Sequence, residues 1–188
     1  NGTVTADLDG STVEGAEVSA FRPNENDALA STTSGTGGTY ELSFTVLALN
    51  APDELRIETK NPRFTDESVT VGFSESVTLD VGLPSIPIST IDELQAIQTD
   101  SDLPLDGFYV QTSDIDATGT ANWNGGKGFD PIGDDFIELQ GSYNGNGYTI
   151  VGLFIDKPNE TDVGLFGKSK DGTIKNLTLT QVDITGEA

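Results

Sequence analysis

The sequence contains no cysteine, no histidine and no methionine. Thiolate nucleophiles, imidazole general bases, Ser-His-Asp triads and the usual zinc ligand sets therefore lack essential parts, which removes most enzyme classes. The missing cysteine leaves the compartment open, because an exported domain large enough to bury a core needs no disulfide. Basic residues are scarce too: 9 Lys and Arg face 31 Asp and Glu, for a formal net charge of -22. So few cations cannot build a phosphate-binding face, so nucleic acid is rejected as a partner. The Gly-rich segments lack the GxxxxGK[ST] arrangement that cradles phosphate. No run approaches the roughly 18 apolar residues of a membrane span, and no membrane insertion is expected of this segment. Asn1 in place of an initiator Met fits a processed or excised product.

A charge of this size is tolerable where salt screens it, the Debye length being about 3 Å near 1 M, which fits a halophilic or marine source. An ordinary acidic surface protein is the alternative. The 188 residues suffice for two small domains, each with its own core. From Gly2 to Leu83 apolar residues alternate with polar ones: Val4-Ala6-Leu8, Ala16-Val18-Ala20, Tyr40-Leu42-Phe44-Val46, Leu55-Ile57, Val69-Val71-Phe73 and Val77-Leu79-Val81. With ALASTTS as a weaker candidate, this predicts about seven short strands in an antiparallel β-sandwich, separated by turn residues such as Asp9-Gly10, Gly37-Gly38 and Asn61-Pro62.

The segments GTVTADLDGSTVEGAEVSAF and STTSGTGGTYELSF resemble the carboxypeptidase regulatory-like, or transthyretin-like, β-sandwich family over residues 1 to 83. The resemblance implies a stalk, spacer or sugar-binding accessory on an exported protein. Leu83-Pro84-Ser85-Ile86-Pro87 then reads as a linker, its prolines interrupting sheet pairing. In STIDELQAIQ, Thr90 and Glu93 form a capping box, and Ile91, Leu94 and Ile97 share one face of a short helix.

Beyond the helix, Phe108-Tyr109-Val110, Phe136-Ile137-Glu138-Leu139, Tyr148-Thr149-Ile150-Val151 and Leu153-Phe154-Ile155 are short apolar runs broken by Gly, Asn and Asp. TIVGLFI (149 to 155) aligns with TIKNLTL (173 to 179) at an offset of 24 residues, a solenoid-like spacing that predicts Ile150 above Ile174, Leu153 above Leu177 and Ile155 above Leu179. A coil with one apolar lining cannot bury it alone, but a stack can. DELQAIQ, DGFYVQTSDID, WNGGKGFDPIG, FIELQGSYNGNGYTIVGLFI, VGLFG and GTIKNLTL resemble the GLUG repeat family and related repeats of large bacterial surface proteins. That resemblance implies, for residues 84 to 188, a right-handed parallel β-helix closed by the short helix, on an exported protein used for adhesion or surface structure. At about 24 residues per coil and ~4.8 Å between strands, it predicts roughly four coils. In VGLFG, Gly164 and Gly167 are expected to supply unusual backbone angles at a corner while Leu165 and Phe166 turn inward. The last coil is expected to need cover, from further repeats or from another subunit.

Few residues offer chemistry. Asp7, Asp9 and Glu14 bring oxygen ligands together as a calcium site would, though the remaining EF-hand ligands are missing and an Asp-Gly hairpin turn is the competing reading. Asp114 and Asp116 lie on one side of an extended segment, with Asp130, Asp134 and Asp135 further along. Such paired acids could act as acid and base on a polysaccharide, or be turn caps and solvated charges. Trp123 and Phe129, in a Gly-rich loop, could contact a glycan or a protein partner, or pack over the coil edge. Asn1, Asn159 and Asn176 satisfy the glycosylation pattern, and Asn159 sits in a polar loop where a glycan fits.

The expectation is a non-enzymatic, all-β extracellular protein segment without a required cofactor, serving as part of an adhesin, a fibre or a cell-envelope layer. Its partners would be other surface proteins, copies of itself, or glycans. A carbohydrate-binding or carbohydrate-active module and a self-polymerising filament subunit are the alternatives.

Overall fold

The computed structural model describes residues 2–6, 11–43, 54–72 and 81–187. Asn1, Asp7, Asp9, Phe44, Val46, Phe73, Val77 and Leu79, on which several expectations rest, lie outside the described residues. The chain is all-β, mostly strand with little helix. It divides into two compact units, one up to Ser85 and one from Ile86. Among the described residues no helix is long and apolar enough to cross a membrane.

The first unit holds β1 (Gly2–Ala6), β2 (Glu17–Phe21), β3 (Ala30–Thr33), β4 (Thr39–Tyr40), β5 (Glu54–Lys60), β6 (Glu67–Gly72) and β7 (Val81–Leu83). They form two sheets, in the orders β4-β1-β7 and β3-β2-β5-β6. Alternation places the side chains: Val18, Ala20, Leu55 and Ile57 are buried, while Glu17, Glu54 and Lys60 are exposed. The buried Ser34 hydroxyl accepts from the Ala16 N–H at 2.9 Å and donates to the Val13 carbonyl at 2.8 Å, so its burial leaves no polar group unmet. The four-stranded sheet is antiparallel throughout. In the other sheet β1 is antiparallel to β4 but parallel to β7, with Val4 opposite Val81. This corrects the wholly antiparallel expectation. Turn residues report only on strands that follow each other in the chain, whereas β1 and β7 are far apart in sequence and free to run the same way.

The second unit contains β8 (Ile86–Ile88), α1 (Ile91–Ala96), β9 (Phe108–Gln111), β10 (Ile115–Asp116), β11 (Ser142–Asn144), β12 (Thr149–Val151), β13 (Phe154–Asp156), β14 (Thr173–Lys175), β15 (Thr178–Thr180) and β16 (Asp183–Thr185). Its sheets run β14-β11-β9-β8, β10-β12-β15 and β13-β16. All pairings among these strands are parallel. Successive passes of the chain visit the sheets in the same order, so like positions stack. Ile86, Tyr109, Tyr143 and Ile174 form one column, Ile115, Ile150 and Leu179 a second, and Ile155 and Ile184 a third. Tyr109, Tyr143, Ile150 and Ile155 are fully buried, and Leu94 of α1 and Ile97, just past its end, join the same core. The predicted capping box is present: Thr90 Oγ1 accepts from the Glu93 N–H at 3.2 Å, and Glu93 Oε2 accepts from the Thr90 N–H at 3.0 Å.

Three expectations need correction here. Ile150 stacks on Leu179 and Ile174 on Tyr143, so Ile150 and Ile174 do not lie one above the other. The segments 149–155 and 173–179 look alike because both are a strand, a two-residue corner and a strand, but they occupy different corners of the coil. Gly152-Leu153, Asn176-Leu177 and Gln181-Val182 are three such corners, each opening on a residue with positive φ, 76°, 52° and 54°. Second, Pro87 does not break pairing: it lies opposite Val110 in β8, the edge strand of its sheet, where proline is tolerated. Third, Gly164 and Gly167 are not among the residues with positive φ. At Gly167 the reason for glycine is proximity, since an added Cβ would sit 2.5 Å from the Gly133 carbonyl oxygen and 2.6 Å from that of Asp162. Leu165 is buried as expected, and Phe166 is half-buried with its ring 5.3 Å from that of Tyr143.

Candidate functional site

A cleft of about 870 Å³ opens in the second unit, walled by the C-terminal end of α1, the Trp123 loop, the 130–136 loop and the 157–162 loop. These loops are long insertions between the short strands, and side chains tie them to one another. Gln95 grips the backbone of Asp130 at both ends, its Nε2 donating to the carbonyl at 3.0 Å and its Oε1 accepting from the N–H at 2.8 Å. Gln98 Oε1 accepts from the Gly133 N–H at 2.9 Å. The Asp130 carboxylate receives Asn124 Nδ2 at 3.0 Å and Lys157 Nζ at 2.9 Å, and the same ammonium reaches Glu160 at 3.1 Å. Burial disfavours the Lys157 charge, but the hydrogen bonds it donates to Asp130 and Glu160, with the attraction of their charges, outweigh it and hold the pKa above the ordinary lysine value.

Two aromatic side chains stand in the wall. Trp123 is half-buried, stacked on Phe129 with ring centroids 6.5 Å apart and planes 24° apart. It also borders a smaller recess of about 310 Å³ beside Asp92, Gln95 and Thr99. Phe136 is 94% exposed at the tip of a turn that Asp134 fixes, its Oδ1 accepting from the N–H groups of Phe136 at 2.8 Å and Ile137 at 2.9 Å. The run Phe136-Ile137-Glu138-Leu139 is thus not a strand: of its apolar members only Leu139 is buried. The aspartate two residues ahead of Phe136 is the sequence signal for that turn, set beside apolar residues that suggest a strand.

The predicted residues separate. Trp123 lies in the cleft wall, but Phe129 is fully buried and cannot touch a partner, which corrects its assignment as a contact residue. It is the floor on which Trp123 rests. Asp114 Oδ1 accepts from the Thr149 N–H at 2.8 Å, holding one coil to the next. Asp116 Oδ1 accepts from the Thr118 Oγ1 at 2.7 Å and N–H at 2.9 Å, and these bonds keep its carboxyl below the usual aspartate value. Each of these two carboxylates is engaged within its own turn or with the next coil. Glu14 is exposed, and among the described residues no group of three or more acidic side chains is placed to hold a metal ion. Asn159 is exposed in the cleft wall with Thr161 of its glycosylation pattern. Asn176 is a corner residue whose Nδ2 donates to Asn144 Oδ1 at 2.9 Å, so a glycan there would have to share the nitrogen that bonds the neighbouring coil.

A second feature lies on the outermost coil. Ile174, Val182 and Ile184 are 39%, 43% and 37% exposed, and Leu177 and Leu179 are half-buried. Their register neighbours Tyr143, Ile150 and Ile155 are fully buried. The apolar columns therefore run on into an uncovered rung.

No protein-family model matches the chain. It is 44% identical over 110 residues to Halomucin of Haloquadratum walsbyi, a match covering 56% of this chain and 1% of that protein. It is 42% identical over 84 residues to a "Putative Gly-rich membrane protein" of Evansella cellulosilytica, covering 44% of this chain and 10% of that protein. The chain thus spans only a small part of the length of either relative, and it is similar to a stretch of each.

Proposed function

We propose that the chain is a structural segment of an extracellular, cell-surface protein, in which residues 86–187 form a short right-handed parallel β-helix that continues into a further coil of the same kind. The single observation that carries this reading is the uncovered rung. Ile174, Leu179 and Ile184 sit in register above buried core residues yet remain partly in water. Apolar area at the end of a column contributes roughly 25 cal/mol per Å² when another layer covers it, and the open edges of β14, β15 and β16 gain hydrogen-bond partners in the same step. Two much longer relatives, one bearing the name of a membrane protein, support a place at the surface. The acidic charge suits a salt-rich medium.

The role is presentation and not catalysis, a reading supported by the engagement of Asp114 and Asp116 in turn and inter-coil hydrogen bonds. The first unit, on its resemblance to carboxypeptidase regulatory-like sandwiches, serves as a spacer. Antibodies raised against the second unit test the location: they should label intact cells of the native source. Label that appears only after lysis would refute a surface role.

A further inference from the structure

We propose that the cleft between Trp123 and Phe136 binds a neutral carbohydrate. The site does not depend on the stacking of coils proposed above, and either reading can fail without the other.

The cleft's composition selects the ligand class. Clefts for small apolar ligands are lined mainly by aliphatic and aromatic groups, with few polar ones. Here Trp123 and Phe136 stand among amides, hydroxyls and carboxylates. An anionic ligand is disfavoured, because Asp130, Asp134, Asp135, Glu160, Asp162 and Glu187 face a single lining cation, Lys157, which already bridges two of them. A strongly cationic ligand is poorly served as well. Asp130 and Glu160 are committed to Lys157, Asp135 to Lys168, and Asp134 to its own turn. These carboxylates keep hydrogen-bond acceptor capacity, and two lysines, Lys157 and Lys168, are paired against three of the six. What remains to be matched is an uncharged molecule with many hydroxyls and an apolar C–H face. A pyranose ring has both: its C–H face packs on an aromatic ring and its hydroxyls meet carboxylate, amide and hydroxyl groups.

The wall is also preorganised. Trp123 is braced by Phe129, the 130–133 backbone by Gln95 and Gln98, and Phe136 by the Asp134 turn, so little ordering is needed on binding. Phe136, 94% exposed on a turn this well fixed, is not held in place by packing against the described residues. The sugar has two conceivable sources. Asn159 and Thr161 of the sequon line the same cleft, so a glycan on Asn159 would lie within reach of Trp123; a free or neighbouring glycan is the other source.

Trp123 is the sole tryptophan, so its fluorescence reports the cleft and the small recess beside it, and Phe136, which lines only the cleft of the two, tells them apart. The full 188-residue chain, made without glycosylation, is titrated with neutral gluco-, manno-, galacto-, xylo- and N-acetylglucosamine oligomers, and with oligogalacturonate as the charged comparison. At least one neutral oligomer should shift the emission saturably, with a dissociation constant of about 0.01–1 mM. Phe136→Ala should weaken it at least about tenfold while leaving the urea unfolding midpoint unchanged. In protein from the native source, a glycan found on Asn159 by intact mass should make the Trp123 emission differ from that of Asn159→Gln; this result assigns the attached glycan as the source. The proposal is overturned if no neutral oligomer shifts the emission and Asn159→Gln leaves the native emission unchanged. It is equally overturned if oligogalacturonate binds more tightly than every neutral oligomer, or if emission shifts with protein concentration alone, which would mark the cleft as an interface between copies.

Discussion

The Tyr143 hydroxyl donates to Gln111 Oε1 at 3.1 Å in the interior of the second unit, where both residues are fully buried. The Gln111 amide in turn donates to the carbonyls of Ser113 at 2.8 Å and Thr149 at 3.3 Å, which joins adjacent coils at one corner. Burial holds the Tyr143 phenol far above its ordinary pKa, so it stays a neutral donor. Tyr143→Phe removes the donor to a buried acceptor and should cost about 1–3 kcal/mol. Urea unfolding followed through Trp123 reads this directly; an unchanged midpoint would mean that the corner is open to water.

Residues in one column should respond differently according to their place in it. Ile155 is fully buried and its partner Ile184 is 37% exposed. Ile155→Ala leaves a cavity and should cost about 2–5 kcal/mol, whereas Ile184→Ala should cost less than about 1.5 kcal/mol in the 188-residue chain. In a longer protein carrying a further coil, the Ile184→Ala cost should rise toward that of Ile155→Ala. Equal costs in the shorter chain would contradict an uncovered rung.

How far the chain could be read in advance depended on the range of the interaction. The α1 cap was legible because Thr90 and Glu93 meet within one turn, and burial of Ile150 and Ile155 was legible from the short apolar runs that a repeating coil must line up inside. Register was not. The similarity of 149–155 to 173–179 is the likeness of two corners, and which strand lies beneath which is set by the long 117–141 and 157–172 loops, whose lengths differ. The cleft was only half legible for the same reason. Trp123 is conspicuous in sequence, but the groups that complete its surroundings, Gln95, Lys157 and Phe136, come from distant segments.

The two glycines of Val163-Gly164-Leu165-Phe166-Gly167 should not be equivalent. A methyl at Gly167 meets backbone oxygens of Gly133 and Asp162 at 2.5 and 2.6 Å, and neither atom can rotate aside. At Gly164 the nearest atom is the Phe166 carbonyl oxygen at 3.2 Å, a gap that a few tenths of an ångström relieve. Gly167→Ala should therefore destabilise by about 2–3 kcal/mol and Gly164→Ala by less than about 1 kcal/mol, partly offset by the stiffer unfolded chain. Urea midpoints for the two variants decide it, and the reverse order would refute close packing at Gly167.

The capping box should carry an acid-sensitive share of stability. The Ser89 N–H is the strongest influence holding the Glu93 carboxyl below its ordinary value of 4.5; slight burial opposes it, and bonds from the Ser89 hydroxyl and from Thr90 add to it. A carboxyl with a lowered folded pKa stabilises the fold above its unfolded value, and that contribution disappears as pH falls through the folded value. Glu93→Gln keeps an acceptor for these N–H groups but removes the charge. The stability gap between the natural chain and Glu93→Gln should thus be open at about pH 7 and nearly closed at about pH 2. Thr90→Ala removes an uncharged acceptor and should cost about 1 kcal/mol at both. Urea unfolding through Trp123 at the two pH values separates the cases, because a Glu93→Gln gap that persists undiminished in acid would show that the carboxylate charge has no part in the cap.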